Sequence, residues 1–181
     1  MSRVPIITSK DQVPTDKASI VDSIASSRGQ ISGPFSVLLN SPEVAGRAAH
    51  LGAYIRFEST LGPADRELAI ISTSREFDCD YEWSAHRGLA LEAGVRPEAV
   101  EVVAQRGSLD DLTEDEAVIV GYARELFRTK RVSDATFEAA KARFGEQGVT
   151  ELTATMGYYG MLACALNAFQ VEPDAGAPRL P

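Results

Sequence analysis

Cys79, Glu82 and His86 are spaced so that, in a helix, a thiol, a carboxylate and an imidazole share one stripe. At about 100° per residue the three fall within roughly 60° of arc, while Tyr81 points away. Glu82 and His86 form an i,i+4 pair, close enough for the carboxylate to orient and charge the ring. His86 is one of 2 histidines in the chain. Upstream, Glu67 offers a further carboxylate on a preceding helical segment. This is equipment for moving protons at neutral pH.

Each of these residues also has a plainer reading. Glu67 can be a surface glutamate paired with Arg66 or Arg75. Cys79 can be a small buried hydrophobe. At a helix start its thiolate is favoured, but the charges of Asp78, Asp80 and Glu82 oppose that. A histidine on an apolar helix face is most often structural; Glu82 one turn earlier and the apolar wall of Trp83 favour a working role for His86. Glu82 can orient His86, act itself as acid or base, or pair with Arg87 or Arg75. A zinc site would normally draw on more His or Cys than this, so no metal is expected. Arg56, Arg66, Arg75 and Arg87 are candidates for holding a substrate carboxylate. Arg56 and Trp83 are the substrate-binding residues we name, although Trp83, Tyr81, Tyr158 and Tyr159 also suit a core or an interface. His50 matches no motif and reads as a surface or interface group.

The spacing Glu67, eleven residues, Cys79, two residues, Glu82, three residues, His86 resembles the signature of the carboxymuconolactone decarboxylase and alkylhydroperoxidase D-like superfamily. In the peroxidase branch a second cysteine stands where this chain has Glu82. Arg66-Glu67-Leu68-Ala69-Ile70-Ile71 followed by Tyr81-Glu82-Trp83 and His86 is more similar to the decarboxylase-type branch. The resemblance runs from about Gly33-Pro34-Phe35 to Asn167. It implies an all-α helical bundle of alkylhydroperoxidase D-like type, forming trimers or hexamers. It also implies a cofactor-free reaction on a small carboxylated lactone such as 4-carboxymuconolactone, with His86, Glu82, Glu67 and Cys79 as the catalytic set. In the resembling peroxidases the glutamate matching Glu67 belongs to a proton relay. Two other functions stay open: a single-cysteine thiol peroxidase using Cys79, and a non-catalytic oligomeric binding protein.

With 181 residues, 44% of them hydrophobic and 24% charged, the chain suits one globular domain with a proper core. A net charge of −8 argues against a nucleic-acid-binding surface. The 2 cysteines, Cys79 and Cys164, form no framework pattern, which fits a reducing compartment. No leader and no membrane-spanning run is legible, so a cytoplasmic protein is expected.

These residues must be held by helices. Residues 1–16 read as an N-terminal arm, 17–169 as the helical domain and 170–181 as a tail that is mobile or lies across a neighbour. Lys17–Ser27 predicts a short helix, and Phe35–Leu39 is a short apolar segment. Ser41-Pro42-Glu43 is a helix start, with Ser41 as N-cap. Pro63 or Ala64 opens the helix bearing Glu67. Asp78 is expected to cap the motif helix, which ends before Gly94. Pro97–Gln105 predicts another helix, Thr113 and Glu116 a capping box for the next, and Ser133 and Thr136 a shorter one ending near Gly145. Val149–Phe169 is the last helix. It is apolar nearly all round, from Leu152 and Met156 to Leu166 and Phe169, which predicts a subunit interface.

Overall fold

Pro42, Pro63 and Pro97 each sit in the first turn of a helix, where the missing N–H has no intrahelical partner to lose. The structure, a computed structural model, describes residues 2–181. Its helices are α1 (Ala18–Arg28), α2 (Gly33–Leu38), α3 (Pro42–Phe57), α4 (Pro63–Glu76), α5 (Asp80–Glu92), α6 (Pro97–Gln105) and α7 (Glu114–Arg128). A last helical stretch, Asp134–Phe169, is broken at Gly145, where φ is 70° and ψ 179°. We number its parts α8 (134–144) and α9 (146–169). Among the described residues there is no strand, and no helix is long and apolar enough to cross a membrane. The chain is all-α, as expected.

Two compact units can be told apart. The first comprises the chain up to Ser59 together with Met161–Glu172. In it α1 lies tightly on α3, because at Gly46 an added Cβ would come within 3.1 Å of Ile20. Val21, Ile24, Phe35, Val37, Leu39, Ala45 and Ile55 are buried there. The N-terminal arm is tied down by backbone bonds from Ile7 N–H to the Ser36 carbonyl and from Arg3 N–H to the Phe169 carbonyl, both 2.8 Å. Ser41 is the N-cap residue of α3, but its side chain makes no capping bond.

The second unit comprises Thr60–Gly160 and Pro173–Pro181, and it carries the motif. Helix α4 is its axis: every residue from Glu67 to Arg75 is buried, under α5, α6 and α7. Leu68, Ile71, Trp83, Val100, Val103, Ile119, Leu152 and Met156 belong to one apolar cluster. The Thr113–Glu116 capping box forms as expected, and Glu116 also holds Arg96 at 2.6 Å.

Three expectations need correction. Asp78 does not cap the motif helix: it adopts a left-handed conformation (φ 46°), is held by Arg75 and Arg106, and leaves Cys79 as the N-cap residue. The tail is not loose. The Leu180 N–H donates to Asp80 Oδ1 at 3.0 Å, and Arg179 pairs with Asp80 Oδ2 at 3.1 Å. Finally, α9 does not need a partner chain to cover its apolar residues. Leu152, Met156, Tyr158, Tyr159, Leu162 and Leu166 are buried within this chain, and of the large ones only Met161 is well exposed, at 41%.

The α8–α9 break uses a φ,ψ combination that essentially only glycine adopts. Gly145→Ala should therefore lower the free energy of unfolding by about 1–3 kcal/mol, measured by urea denaturation. An unchanged midpoint would show that the break has no such requirement.

Candidate active site

Helix α4 contributes Glu67, and α5 contributes Glu82 and His86, all within the second unit. The two helices run from one tight turn, so Glu67 meets the side of α5 on which His86 lies. The His86 Nδ1 atom is 2.8 Å from Glu67 Oε2, and its Nε2 atom is 3.5 Å from Glu82 Oε2. All three residues are buried, with 7% exposure for Glu67, 3% for Glu82 and 7% for His86. Where Glu67 is ionised it can only accept, and Nδ1–H is then the donor of the short contact. The longer contact at Nε2 is looser than a good hydrogen bond and leaves that nitrogen room to exchange a proton. The i,i+4 pair was expected to orient the ring; instead the neighbouring helix does so. Glu82, one turn earlier on the same helix, is 3.5 Å from the far nitrogen.

Tyr159 completes the surroundings of the ring. Its ring stands edge-on to His86, with centroids 5.1 Å apart and planes at 85°. Tyr158 stands edge-on to Tyr159 at 5.3 Å. The sequence favoured both tyrosines as core or interface groups, with room for one or two of the aromatics to line the pocket. Nothing local to residue 159 signals its contact with residue 86.

Cys79 is wholly buried at the N-cap of α5. Burial pushes its thiol up to about 11; backbone N–H groups of Glu82 and Tyr81 pull the other way, and the charges of Glu82 and Asp80 add to the rise. The N-terminal turn of the helix therefore loses to desolvation, and near neutral pH the sulfur is a thiol. Cys164, the other free cysteine, is exposed and belongs to the first unit.

Of the remaining candidates, some lie elsewhere or are committed, while Arg66, with a buried Nε that has no partner, and Arg87 stay in the motif's unit. Arg75 donates from Nε to the Ala104 carbonyl at 2.7 Å and pairs with Asp78, so it serves the ends of α4 and α6. Arg56 belongs to the first unit, where its guanidinium lies over the Phe57 ring at 5.5 Å. Arg66 and Arg87 are half-buried. Trp83, 2% exposed, is part of the apolar cluster behind the motif. His50 is exposed and lines a groove of 370 Å³ between α1 and α3. Among the described residues no group of three or more His, Cys, Asp or Glu side chains is arranged to hold a metal ion.

In a Cys164→Ser protein, iodoacetamide should alkylate Cys79 at pH 7.5 about a hundredfold more slowly than a free thiol of ordinary pKa. The rate should keep climbing as pH rises toward 11. Fast labelling at pH 7.5, followed by mass spectrometry, would contradict the picture of a buried, protonated sulfur.

The family model described as "Carboxymuconolactone decarboxylase family" matches residues 42–125. No curated protein matches the chain significantly. Among solved structures, an uncharacterized peroxidase-related protein from Ralstonia eutropha JMP134 with an alkylhydroperoxidase AhpD core aligns with a TM-score of 0.75 at 19% identity, covering 96% of this chain and 92% of that one. An uncharacterized peroxidase-related protein from Silicibacter sp. TM1040 aligns with a TM-score of 0.70 at 16% identity, covering 91% and 88%. The debrominase Bmp8 aligns with a TM-score of 0.72 at 17% identity, covering 97% and 94%. A cysteine-to-alanine variant of Bmp8 in complex with 2,3,4-tribromopyrrole aligns with a TM-score of 0.70. At these identities the likeness is one of fold, and the family match spans the motif itself. The match over residues 42–125 and the shared fold make this chain similar to the carboxymuconolactone decarboxylase and alkylhydroperoxidase D-like superfamily.

Proposed function

We propose that this protein is a cofactor-independent enzyme that decarboxylates a small carboxylated lactone by proton transfer through His86. The observation that carries the reading is the buried Glu67–His86–Glu82 arrangement, an imidazole with one nitrogen anchored and the other left to work. In a substrate of the 4-carboxymuconolactone kind, the bond to the departing carboxylate breaks and CO₂ leaves. The electron pair runs through the ring double bond into the lactone carbonyl and forms a dienolate. The dienolate then takes one proton at carbon from Nε2–H of the doubly protonated His86 ring, and a proton from solvent, passed on by Glu82, recharges Nε2 for the next turnover. Glu67 holds the ring and its tautomer. The conjugated lactone is its own electron sink, so the step balances without an oxidant or a reductant. Cys79 shapes the wall and forms no covalent bond.

The redox reading suggested by the peroxidase-related neighbours fits less well. It needs a reactive thiolate, and Cys79 is buried and protonated. A carboxylate, Glu82, occupies the position at which that chemistry would use a resolving thiol. The ring compound in the Bmp8 complex agrees with a substrate of single-ring size. We also propose that the chain forms a homo-oligomer, with the exposed Val44, Leu51, Tyr54 and Phe57 of α3 at the contact, and works in the reducing cytoplasm.

Turnover of 4-carboxymuconolactone, followed by loss of its absorbance and by CO₂ release, tests the assignment. His86→Gln should lower kcat by about 10²–10⁴, and Cys79→Ser should keep most of the activity. Full turnover by His86→Gln, or none by Cys79→Ser with its fold intact, would overturn these roles. Ligand-induced stabilisation with no turnover across a panel of lactones would favour a binding protein instead.

A further inference from the structure

Thr155 is wholly buried on α9, and its Oγ1 has no hydrogen-bond partner among the described residues. Helical threonines ordinarily bond back to the carbonyl one turn earlier. Thr73 does so to Ala69, and Thr153 to Val149, each at 2.8 Å. Thr155 forgoes that bond. A buried hydroxyl kept unsatisfied by its own protein is costly, and such groups in native proteins commonly face a bound water or a ligand.

Its position says which ligand. Thr155 precedes Tyr159 by one turn, about 40° round the helix from it, and so shares the face of α9 that meets His86. Ser72 Oγ, also buried without a partner, lies about 140° round α4 from Glu67, on another face. The charged groups that touch His86 are both acids. An oxyanion developing beside two carboxylates is best served by a donor that carries no negative charge, and Arg75, the buried arginine of this unit, is committed to Ala104 and Asp78. A threonine hydroxyl meets that need.

We infer that Thr155 Oγ1–H is the hydrogen-bond donor to the substrate's carbonyl oxygen, stabilising the enolate formed as CO₂ departs. The role of this oxygen rests on the lactone reading above; the placing of the hydroxyl on the side of α9 that meets His86 does not. Thr155→Val removes the donor and keeps the shape. It should fold with a Tm at or above that of the unaltered protein, since it deletes an unsatisfied buried group, while kcat on 4-carboxymuconolactone falls by about a hundredfold. Thr155→Ser should restore most of the activity. Unchanged turnover in Thr155→Val would overturn the inference.

If the unaltered protein does not turn this lactone over, the substrate reading fails, and a high-resolution crystal structure decides the position. An ordered water on Thr155 Oγ1 beside His86, lost in Thr155→Val, would support the hydroxyl as part of the binding site. An Oγ1 bonded to a protein group, or facing no water at all, would overturn it.

Discussion

Two carboxylates and an imidazole share one buried spot in this protein, and the rest of the second unit can be understood as what makes that tolerable. Taking such groups out of water costs several kcal/mol per ion unless each finds a well-placed partner. Glu67 and His86 satisfy each other at 2.8 Å, and Glu82 faces the second nitrogen. Losing one member of such a set strands the others, a loss of about 3–5 kcal/mol for a buried pair. A purely structural core would be cheaper with apolar side chains at these positions. Their presence is therefore an argument for chemistry.

The geometry depends on how α4 is held at its two ends. At its start, Glu151 Oε2 accepts from the backbone N–H of Thr60 at 2.7 Å and from its hydroxyl at 2.6 Å, which fixes the entry to the helix. At its end, Asp78 takes a left-handed conformation clasped by Arg75 and Arg106, and the Cys79 N–H reaches the Ser74 carbonyl at 2.9 Å. That tight exit sets the register between Glu67 on α4 and His86 on α5. The tail then pins the first residue of α5 through Asp80. A shift of one residue at the turn would rotate α5 by about 100° and carry the imidazole away from Glu67.

Much of this was legible in the residues because the signals are local. Proline in a first turn, the Thr113–Glu116 box and Gly94 past the end of α5 place helix boundaries without reference to the rest of the chain. The motif spacing likewise brought out Glu67, Cys79, Glu82 and His86. What was not legible depends on contacts between distant residues. Helix spacing favours Glu82 as the partner of His86, yet the shorter contact comes from Glu67, 19 positions away. Tyr159, the stranded Thr155 hydroxyl and the docking of residues 179 and 180 have no local signature at all. Asp78 misled because aspartate suits both an N-cap and a left-handed turn, and two nearby arginines decide between them.

The central claim is that the His86 ring is anchored through Nδ1 to Glu67 and is free to exchange protons at Nε2. Nitrogen-15 NMR of histidine-labelled protein reads this directly, with exposed His50 as the internal reference. The account predicts a protected Nδ1 proton on His86, hydrogen-bonded and slow to exchange, with pH-dependent changes confined to Nε2. A His86 ring with a bare Nδ1, or one exchanging both protons as freely as His50, would contradict it.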